Sequence, residues 1–327
     1  MSCGGGFTLI EFRCKLPRRA FTLDIALQVN PASVYSIFGP SAAGKSSVLS
    51  VIAGFENRLH TAYLSVNGRV LIDVKSGHGL NVSAWRRGVV LMEQGATLFP
   101  HLSVRDNIYF GVRTKRDPWI EAWIERVGLG PYLDAKPSQL SGGLTQRAVI
   151  VRSIVGRPEI LLLDEPFSAL DWSLRRILQD AVMDLQNDLG TTIIMVTHDL
   201  AEAQRMADEM AILNHGQILQ YGAPEHLMMH PKSWEVAKLL GYTHLLTDGN
   251  GQTFAFHPSR VVPEAQPDLG PVLQGTVKEQ FLHEADRRVA VYLSSFNCEL
   301  EIAVPTGYTL HIGQTFAFTV VNPPYVY

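Results

Sequence analysis

One loop of small and polar residues constrains the fold of this chain more than any other stretch of its sequence. It follows an apolar run typical of a buried strand, Val34 to Phe38, and precedes a helical pattern, Ser47 to Gly54. Two glycines at this spacing let the backbone turn closely, so that successive N–H groups can point at one anion. The residues expected around a bound phosphate are Gly39, Pro40, Ser41, Ala42, Ala43, Gly44, Lys45, Ser46 and Ser47.

Two side chains of this loop supply chemistry. Lys45 can reach the terminal phosphates of a nucleotide, and the Ser46 hydroxyl can ligate Mg²⁺. The N-terminus of the following helix also favours negative charge. A glycine-rich turn with an incidental lysine is the alternative, and the strand before and helix after the loop make it less favourable. The sequence therefore predicts a nucleotide phosphate loop in an α/β fold.

Length and composition narrow the class of protein. The 327 residues suffice for two domains, and 46% hydrophobic with 18% charged residues is typical of globular proteins. A net charge of −3 gives no electrostatic footprint for nucleic acid. No stretch approaches the roughly 20 apolar residues of a membrane-spanning helix. We therefore expect a soluble chain that reaches any membrane by docking onto another protein.

The segments around the loop predict an antiparallel β layer and a helical subdomain beside the α/β core. Thr8 to Lys15 and Ala20 to Gln28 are predicted strands, and Val66 to Val74 is a predicted hairpin with an Asn67-Gly68 turn. From Asp117 to Val127 the apolar residues have helical spacing.

A second glycine pair begins another helical pattern. Ser141, Gly142 and Gly143 precede the apolar run Ala148 to Val155. Ser141 is the expected N-cap, and the glycines leave backbone N–H groups accessible at the positive end of the helix. A capped helix start explains these residues by itself, but the same features suit a second anion site.

Polar residues end the predicted parallel strands. The apolar run Ile160 to Leu163 leads into Asp164 and Glu165, and a later strand leads into His198. Such residues meet at the carboxyl edge of a parallel sheet, where ligands bind. Asp164 would hold Mg²⁺, and Glu165 would orient or deprotonate a water for in-line attack. His198 could bond a phosphate oxygen or that water. Gln94, also at a strand end, is a weaker candidate when taken alone.

In this order the motifs resemble those of ABC transporter ATPase subunits. They are the phosphate loop Gly39 to Ser46, the glutamine loop at Gln94, the signature Leu140 to Gln146, the acidic strand end Asp164-Glu165, the loop Ser168 to Asp171 and the switch His198. The resemblance implies catalytic roles for Glu165, His198 and Gln94, and magnesium ligands at Ser46, Gln94 and Asp164.

In this family two cassettes pair head to tail around ATP. The resemblance therefore implies a homodimer that binds ATP and Mg²⁺, in which Ser141, Gly142 and Gly143 contact the γ-phosphate held by the other copy. Asp171 would help to couple the two sites. Integral membrane permease subunits would contact Leu98 to Val104, and an extracytoplasmic solute-binding protein would act indirectly. The implied location is peripheral, at the cytoplasmic face of the inner membrane.

Two departures from the family pattern stand out. Leu144 and Thr145 replace the usual signature glutamines, a change we expect to be mild because the Ser-Gly-Gly part is intact. The aromatic residue that stacks on adenine has no clear match. Phe12 and Phe21 are the candidates, and Phe21 is expected in the core.

The C-terminal part predicts a small β-barrel. From about Leu245 short strands alternate with Gly and Pro turns. They are Thr253 to Phe256, Val272 to Val277, Arg288 to Tyr292, Glu299 to Ala303 and Thr315 to Val321. The pattern resembles the oligonucleotide-fold accessory domain of importer ATPases, which implies an importer with an ATPase domain at 1–240 and an accessory domain at 241–327. Asn322-Pro323-Pro324 replaces an expected lysine-serine pair, so we expect no oxyanion sensing there.

The solute is less constrained by the sequence. Gly68 to Asp73 and Leu98 to Leu102 are similar to segments of molybdate- and iron-importer ATPases, which favours an inorganic ion such as molybdate or ferric iron, with sulfate, sugar or polyamine as the alternatives. A soluble, non-transport ABC ATPase stays open as an alternative. So does a phosphate-loop kinase with a regulatory β-domain, although the signature and His198 have no task in a kinase.

Overall fold

The computed structural model describes residues 10–112, 117–168, 170, 172–247, 251–283, 286–305 and 307–325. Thr8, Leu9 and Asp171, for which the sequence made predictions, lie outside these residues. The chain divides into two compact units, Met1–Pro224 and Glu225–Tyr327. Within the described ranges, each helix is too short or too polar to span a bilayer.

A six-stranded, mostly parallel sheet forms the centre of the first unit. In spatial order its strands are β11 (Gln217–Gly222), β10 (Glu209–Asn214), β3 (Val34–Phe38), β9 (Thr192–Thr197), β8 (Ile160–Asp164) and β7 (Val89–Met92). Only β10 and β11 pair antiparallel. Strands β3, β8 and β9 are buried along their whole length, which explains their continuous apolar runs.

The predicted antiparallel layer is a five-stranded sheet. Its order is β2 (Thr22–Val29), β1 (Ile10–Pro17), β4 (Thr61–Val66), β5 (Arg69–Lys75) and β6 (His78–Asn81). Alternate residues of β1 and β2 are buried, so one face of this sheet packs on the core. Phe12 and Leu64 from this face share one apolar cluster with Ile37 of β3.

Six α-helices are present in the described residues of the first unit. They are α1 (Lys45–Ala53), α2 (Val104–Ile108), α3 (Pro118–Arg126), α4 (Gly142–Ile154), α5 (Trp172–Leu189) and α6 (Leu200–Met206). The predicted helix at 117–127 is α3, for which the Asp117 carboxylate accepts a hydrogen bond from Trp119 N. Ile108, Trp123 and Ile150, from α2, α3 and α4, lie in a second apolar cluster. This cluster is the core of the predicted helical subdomain.

The second unit is mainly β. Its helices are α7 (Pro224–Met229) and α8 (Trp234–Leu239), followed by the hairpin of β12 (His244–Thr247) and β13 (Thr253–Phe256). A five-stranded sheet has the order β14 (Val261–Val262), β18 (Thr315–Val320), β15 (Val272–His283), β16 (Asp286–Leu293) and β17 (Cys298–Ala303). The sheet is a half-barrel whose end strands β14 and β17 stay separate within the described residues. The boundary proposed at residues 240 and 241 stays a prediction.

Candidate functional site

The predicted phosphate loop connects β3 to α1, and glycine is required at two of its positions. Gly44 has φ +108°, a left-handed conformation that glycine adopts without strain. A Cβ on Gly39 would lie 2.1 Å from the carbonyl oxygen of Leu213 in β10. Gly39 therefore lets the loop lie directly against the neighbouring strand.

Lys45 is folded back over the loop. Its Nζ donates hydrogen bonds to the carbonyl oxygens of Gly39 (2.8 Å) and Pro40 (2.9 Å). Burial lowers the pKa of the ammonium, and the charges of Glu165 and Asp164 oppose that shift. Lys45 also stands at the N-terminus of α1, where the helix dipole disfavours a cation. A bound anion would relieve both penalties.

Ser46 and Asp164 meet across the carboxyl edge of the sheet. The Ser46 hydroxyl donates to Asp164 Oδ1 at 3.0 Å. Asp164 is buried, and burial is the main reason why its pKa is raised; the nearby Glu165 and Glu93 raise it further, while Ser46 and Lys45 lower it. The pair offers a hydroxyl and a carboxylate oxygen, which are ligands that suit Mg²⁺.

The Glu165 carboxylate is held at both oxygens. Gln94 Nε2 donates to Oε2 at 2.9 Å, and His198 Nδ1 lies 3.2 Å from Oε1. The backbone is fixed as well, because Glu165 N donates to Val196 O at 3.0 Å and the Ser168 hydroxyl donates to Glu165 O at 3.1 Å. Glu165 has φ +46°, an uncommon conformation for a non-glycine residue that is typical of functional sites.

Lys45, Ser46, Gln94 and Glu165 line one cleft of about 470 Å³, which we call the phosphate-loop cleft. Its lining residues are Arg18, Arg19, Ala20, Phe21, Ser41, Ala42, Gly44, Lys45, Ser46, Ser47, Gln94 and Glu165. The structure thus brings Gln94 and Glu165 to the loop, although Gln94 had the weakest support in the sequence. Asp164 joins them through its bond to Ser46.

The two aromatic candidates for stacking have different environments. Phe12 is fully buried in the core of the first unit and does not line the phosphate-loop cleft. Phe21 is half-buried and lines the phosphate-loop cleft, so the expectation that it belongs only to the core was incomplete. A Cβ on Gly44 would lie 3.1 Å from Phe21 Cε2, which places the ring against the loop.

Sequence reasoning missed the arginines of the β1–β2 turn. Arg18 Nη1 donates to Glu56 Oε2 at 2.9 Å, whereas Arg19 is exposed and lines the cleft. The available signal was two adjacent cations in a short turn between predicted strands.

The signature residues lie outside this cleft. Ser141 is the predicted N-cap of α4, and its hydroxyl accepts a hydrogen bond from Leu144 N at 3.3 Å. Gly142 faces open space, with nothing within 4 Å of a Cβ placed there. Among the described residues, none of Ser141, Gly142 and Gly143 lines the phosphate-loop cleft. Within one chain the two predicted anion sites are therefore separate.

Comparisons with known proteins identify relatives of this chain. A family model described as ABC transporter matches residues 23–168. The chain is 40% identical over 268 residues to the Fe(3+) ions import ATP-binding protein FbpC of Pseudomonas fluorescens, covering 80% of this chain and 74% of the relative. It is 40% identical over 227 residues to the spermidine/putrescine import ATP-binding protein PotA of Lawsonia intracellularis, covering 67% of this chain and 58% of the relative. The chain thus spans less than two thirds of that second relative. An uncharacterized ABC transporter ATP-binding protein of Escherichia coli, YdcT, is 36% identical over 250 residues, or 72% of each chain.

Proposed function

The chain belongs to the ABC transporter family, in the group of ATPase subunits coupled to import, and we propose that its phosphate-loop cleft binds ATP and hydrolyses it to drive uptake of an inorganic ion. One observation carries the assignment of the site: Lys45, Ser46, Gln94 and Glu165 line a single cleft, and Asp164 is bonded to Ser46.

Lys45 and the loop backbone would bind the phosphates. The Nζ already has two carbonyl acceptors, Gly39 O and Pro40 O, which hold the ammonium within the loop. Its buried charge has no equally close carboxylate among the described residues, so a phosphate would be its strongest partner. The N–H groups at the start of α1 would add to the binding.

Ser46 and Asp164 would hold Mg²⁺, with Gln94 as a further oxygen ligand. The described residues contain no group of three or more His, Cys, Asp or Glu side chains suited to a metal. This agrees with a magnesium ion that takes few protein ligands and completes its shell with phosphate oxygens and water. When bound, the ion would neutralise charge on the phosphates.

Glu165 would act on the attacking water. Gln94 and His198 each engage one of its carboxylate oxygens, so the orientation of the carboxylate at the phosphate-loop cleft is already fixed. A carboxylate held in this way can accept a proton from water as the water attacks in line. His198, which is half exposed beside it, is the candidate for contact with the terminal phosphate.

A second copy of this chain would complete the site. Ser141 to Gly143 lie outside the phosphate-loop cleft, and Gly142 has open space before it. We therefore favour a head-to-tail homodimer in which the start of α4 of one copy contacts the ATP of the other. Membrane permease subunits at the cytoplasmic face would then receive the motion at Leu98 to Val104, with Asp171 helping to couple the two sites.

Replacement of Glu165 by glutamine tests the site and the dimer together. Glu165→Gln keeps the size of the side chain but removes the base, so hydrolysis should fall by about 100- to 10,000-fold. ATP should still bind and should shift the variant to a dimer on a sizing column. Glu159→Gln is the matched control, because Glu159 is exposed just before β8. A Glu165→Gln variant that stays monomeric with saturating ATP would argue against the head-to-tail arrangement.

Ferric iron or molybdate is the solute we favour. The relative FbpC is named for Fe(3+) import, and it is matched over more of its length than PotA. The segments Gly68 to Asp73 and Leu98 to Leu102 support the same class. A polyamine is the second candidate, because the PotA relatives are 36–40% identical to this chain.

Uptake in cells that lack the gene decides between these solutes. Labelled ferric iron, molybdate, sulfate, spermidine and sugar would be followed with and without a plasmid copy of the gene. We expect loss of ferric iron or molybdate uptake alone, restored by the native gene but not by Lys45→Ala. Loss of spermidine uptake instead would select the polyamine alternative. Normal uptake of every tracer, together with ATPase activity of the purified chain, would favour the soluble ATPase.

A further inference from the structure

The first unit contains a second cavity, of about 460 Å³, lined by none of the residues that line the phosphate-loop cleft. We call it the tyrosine cavity. Tyr35, Glu209 and Tyr221 line it, together with residues of β1 and β2 such as Glu11, Arg13 and Gln28. Tyr35 is near the start of β3, whereas the phosphate loop follows the end of the same strand. The two cavities share no lining residue among those described.

Strand register places the three key side chains on one face of the six-stranded sheet. Tyr35 is the partner of Glu209 in the parallel pair of β3 and β10. Tyr221 is the partner of Ala211, which lies two residues after Glu209. Because residues two apart in a strand share a face, Tyr35, Glu209 and Tyr221 come from three adjacent strands and point the same way. The cavity is thus built on sheet strands and not on a loop.

The two tyrosines occupy different depths. Tyr35 is 2% exposed and Tyr221 is 68% exposed, so one ring forms the floor and the other lies at the mouth. Burial raises the pKa of Tyr35, and the Glu209 charge and the Tyr221 phenol raise it further, which agrees with their closeness in the register. The Tyr35 ring therefore stays neutral at the floor of the cavity, and Tyr221 offers its ring face at the mouth.

Charge in the cavity is unbalanced. Glu11 and Arg13 on β1 form an ion pair with each other and cancel. Glu209 is half-buried and has no ion pair within the part of the chain that the structure describes. The cavity thus keeps one unpaired carboxylate between two aromatic rings. An anion would be repelled there, and a hard divalent metal would lack the additional carboxylates that it needs.

A carboxylate beside aromatic faces is the chemistry that recognises organic ammonium ions. The cation gains an ion pair with the acid and a cation–π contact with each ring, which are stronger when the site is partly desolvated. The volume is that of a small-molecule site. We propose that the tyrosine cavity binds a small organic ammonium ion, anchored on Glu209 and enclosed by Tyr35 and Tyr221. This site is independent of the proposed nucleotide chemistry.

Calorimetry on the full chain without nucleotide tests the proposal. The probes are tetramethylammonium and 1,4-diaminobutane, with sodium chloride at matched ionic strength and neutral 1,4-butanediol as controls. We expect saturable binding of at least one ammonium probe and none of the diol. Glu209→Gln and Tyr221→Ala should each weaken binding by about tenfold or more, whereas Tyr221→Phe should keep most of it because the ring face remains.

Glu159→Gln is the matched control for charge. It removes one carboxylate from an exposed position before β8 and should leave the ammonium Kd unchanged. Saturating ATP should also leave that Kd unchanged, because the phosphate-loop cleft shares no lining residue with this cavity.

Four results would overturn the site. They are the absence of saturable heat with both probes, an unchanged Kd in both Glu209→Gln and Tyr221→Ala, equal weakening by Glu159→Gln, and displacement of the probe by ATP. Tyr221 is mostly exposed, so its variants keep the test valid if Glu209→Gln fails to fold. The Lys45→Ala variant should bind the ammonium probes with an unchanged Kd even though it should lose ATPase activity.

Discussion

Two buried cations lie at the two ends of α1, and their surroundings differ. At the N-terminus, Lys45 Nζ bonds to two carbonyl oxygens of the phosphate loop. At the C-terminus, Arg87 Nη1 donates to Val51 O and Ile52 O, both at 2.8 Å. Both cations lie within the first unit and both bond chiefly to backbone, so the composition of their contacts does not distinguish them.

The helix dipole distinguishes them. Its negative end faces Arg87, which therefore satisfies the last carbonyls of α1 and is stabilised by them. Its positive end faces Lys45, which gains nothing from the dipole. Arg87 also donates to Val82 O at 2.8 Å and to Asn81 Oδ1 at 2.6 Å, so its guanidinium is almost fully engaged. The hydrogen bonds and the helix dipole thus stabilise the Arg87 cation without a ligand, whereas the Lys45 cation would be stabilised by a bound anion.

The largest expected effect comes from Lys45. Lys45→Ala should reduce ATP hydrolysis by about 1,000-fold, because it removes a cation from the phosphates in a site of low dielectric. The free energy of unfolding without nucleotide should stay the same or rise, because a buried charge is removed. Phosphate release and urea unfolding measure the two quantities. Lys75→Ala, on the exposed side of β5, should change neither. Normal hydrolysis by Lys45→Ala would refute the site assignment.

Arg87 should show the opposite pattern. Arg87→Met keeps the apolar stem but leaves buried acceptors without donors, so the free energy of unfolding should fall by about 3 kcal/mol. The neighbouring Arg86 is exposed, and Arg86→Met should change the free energy of unfolding by less than about 0.5 kcal/mol. Urea unfolding of both variants makes the comparison. Equal, small losses would show that the bonds of Arg87 to α1 contribute little.

Asp164 gives the smallest expected change in stability, and that change depends on pH. Its raised pKa means that the folded state binds a proton more readily than the unfolded chain, so this carboxylate lowers stability as pH rises through the folded-state pKa. Asp164→Asn cannot titrate and can still accept the Ser46 bond. The free energy of unfolding of the variant at pH 7 should therefore be about 1 kcal/mol higher than that of the native chain. Its ATPase activity should be lost.

That gain in the free energy of unfolding should shrink as pH falls below the raised pKa of Asp164. It should disappear at a pH where the aspartate is protonated in both the folded and the unfolded chain. Thermal unfolding across pH measures it. A gain that grows towards low pH would contradict the burial argument. Asp180→Asn, at an exposed carboxylate on α5, should show no comparable gain.

Local features of the site could be predicted from the sequence. A loop between a strand and a helix fixes where Lys45 and Ser46 point, and a buried strand fixes where Asp164 and Glu165 emerge. The bond between Gln94 and Glu165 depends on how the ends of β7 and β8 meet, which no local pattern specifies. Arg87 could not be recognised either, because Arg86 beside it has the same side chain and only the fold decides which one is buried.

In the second unit, too, the sequence predicts local elements better than it predicts long-range pairing. Five of its seven described strands were predicted, because Gly and Pro turns separate alternating residues; β12 and β14 were not predicted, and β15 continues beyond Val277 to His283. The sheet order β14-β18-β15-β16-β17 and its half-barrel form depend on long-range pairing. A β-barrel pattern in a sequence specifies strands better than it specifies whether the sheet closes.

The close approach of Gly39 to Leu213 has a consequence for synthesis of the chain. Strand β3 leaves the ribosome early, but both strands that pair with it, β9 and β10, are encoded much later. Contacts between such distant segments form slowly, because the chain between them must be ordered first. The contact between Gly39 and Leu213 therefore cannot form on a nascent chain that ends before the β10 strand. A truncated product would carry the complete loop sequence without the strand against which the loop lies.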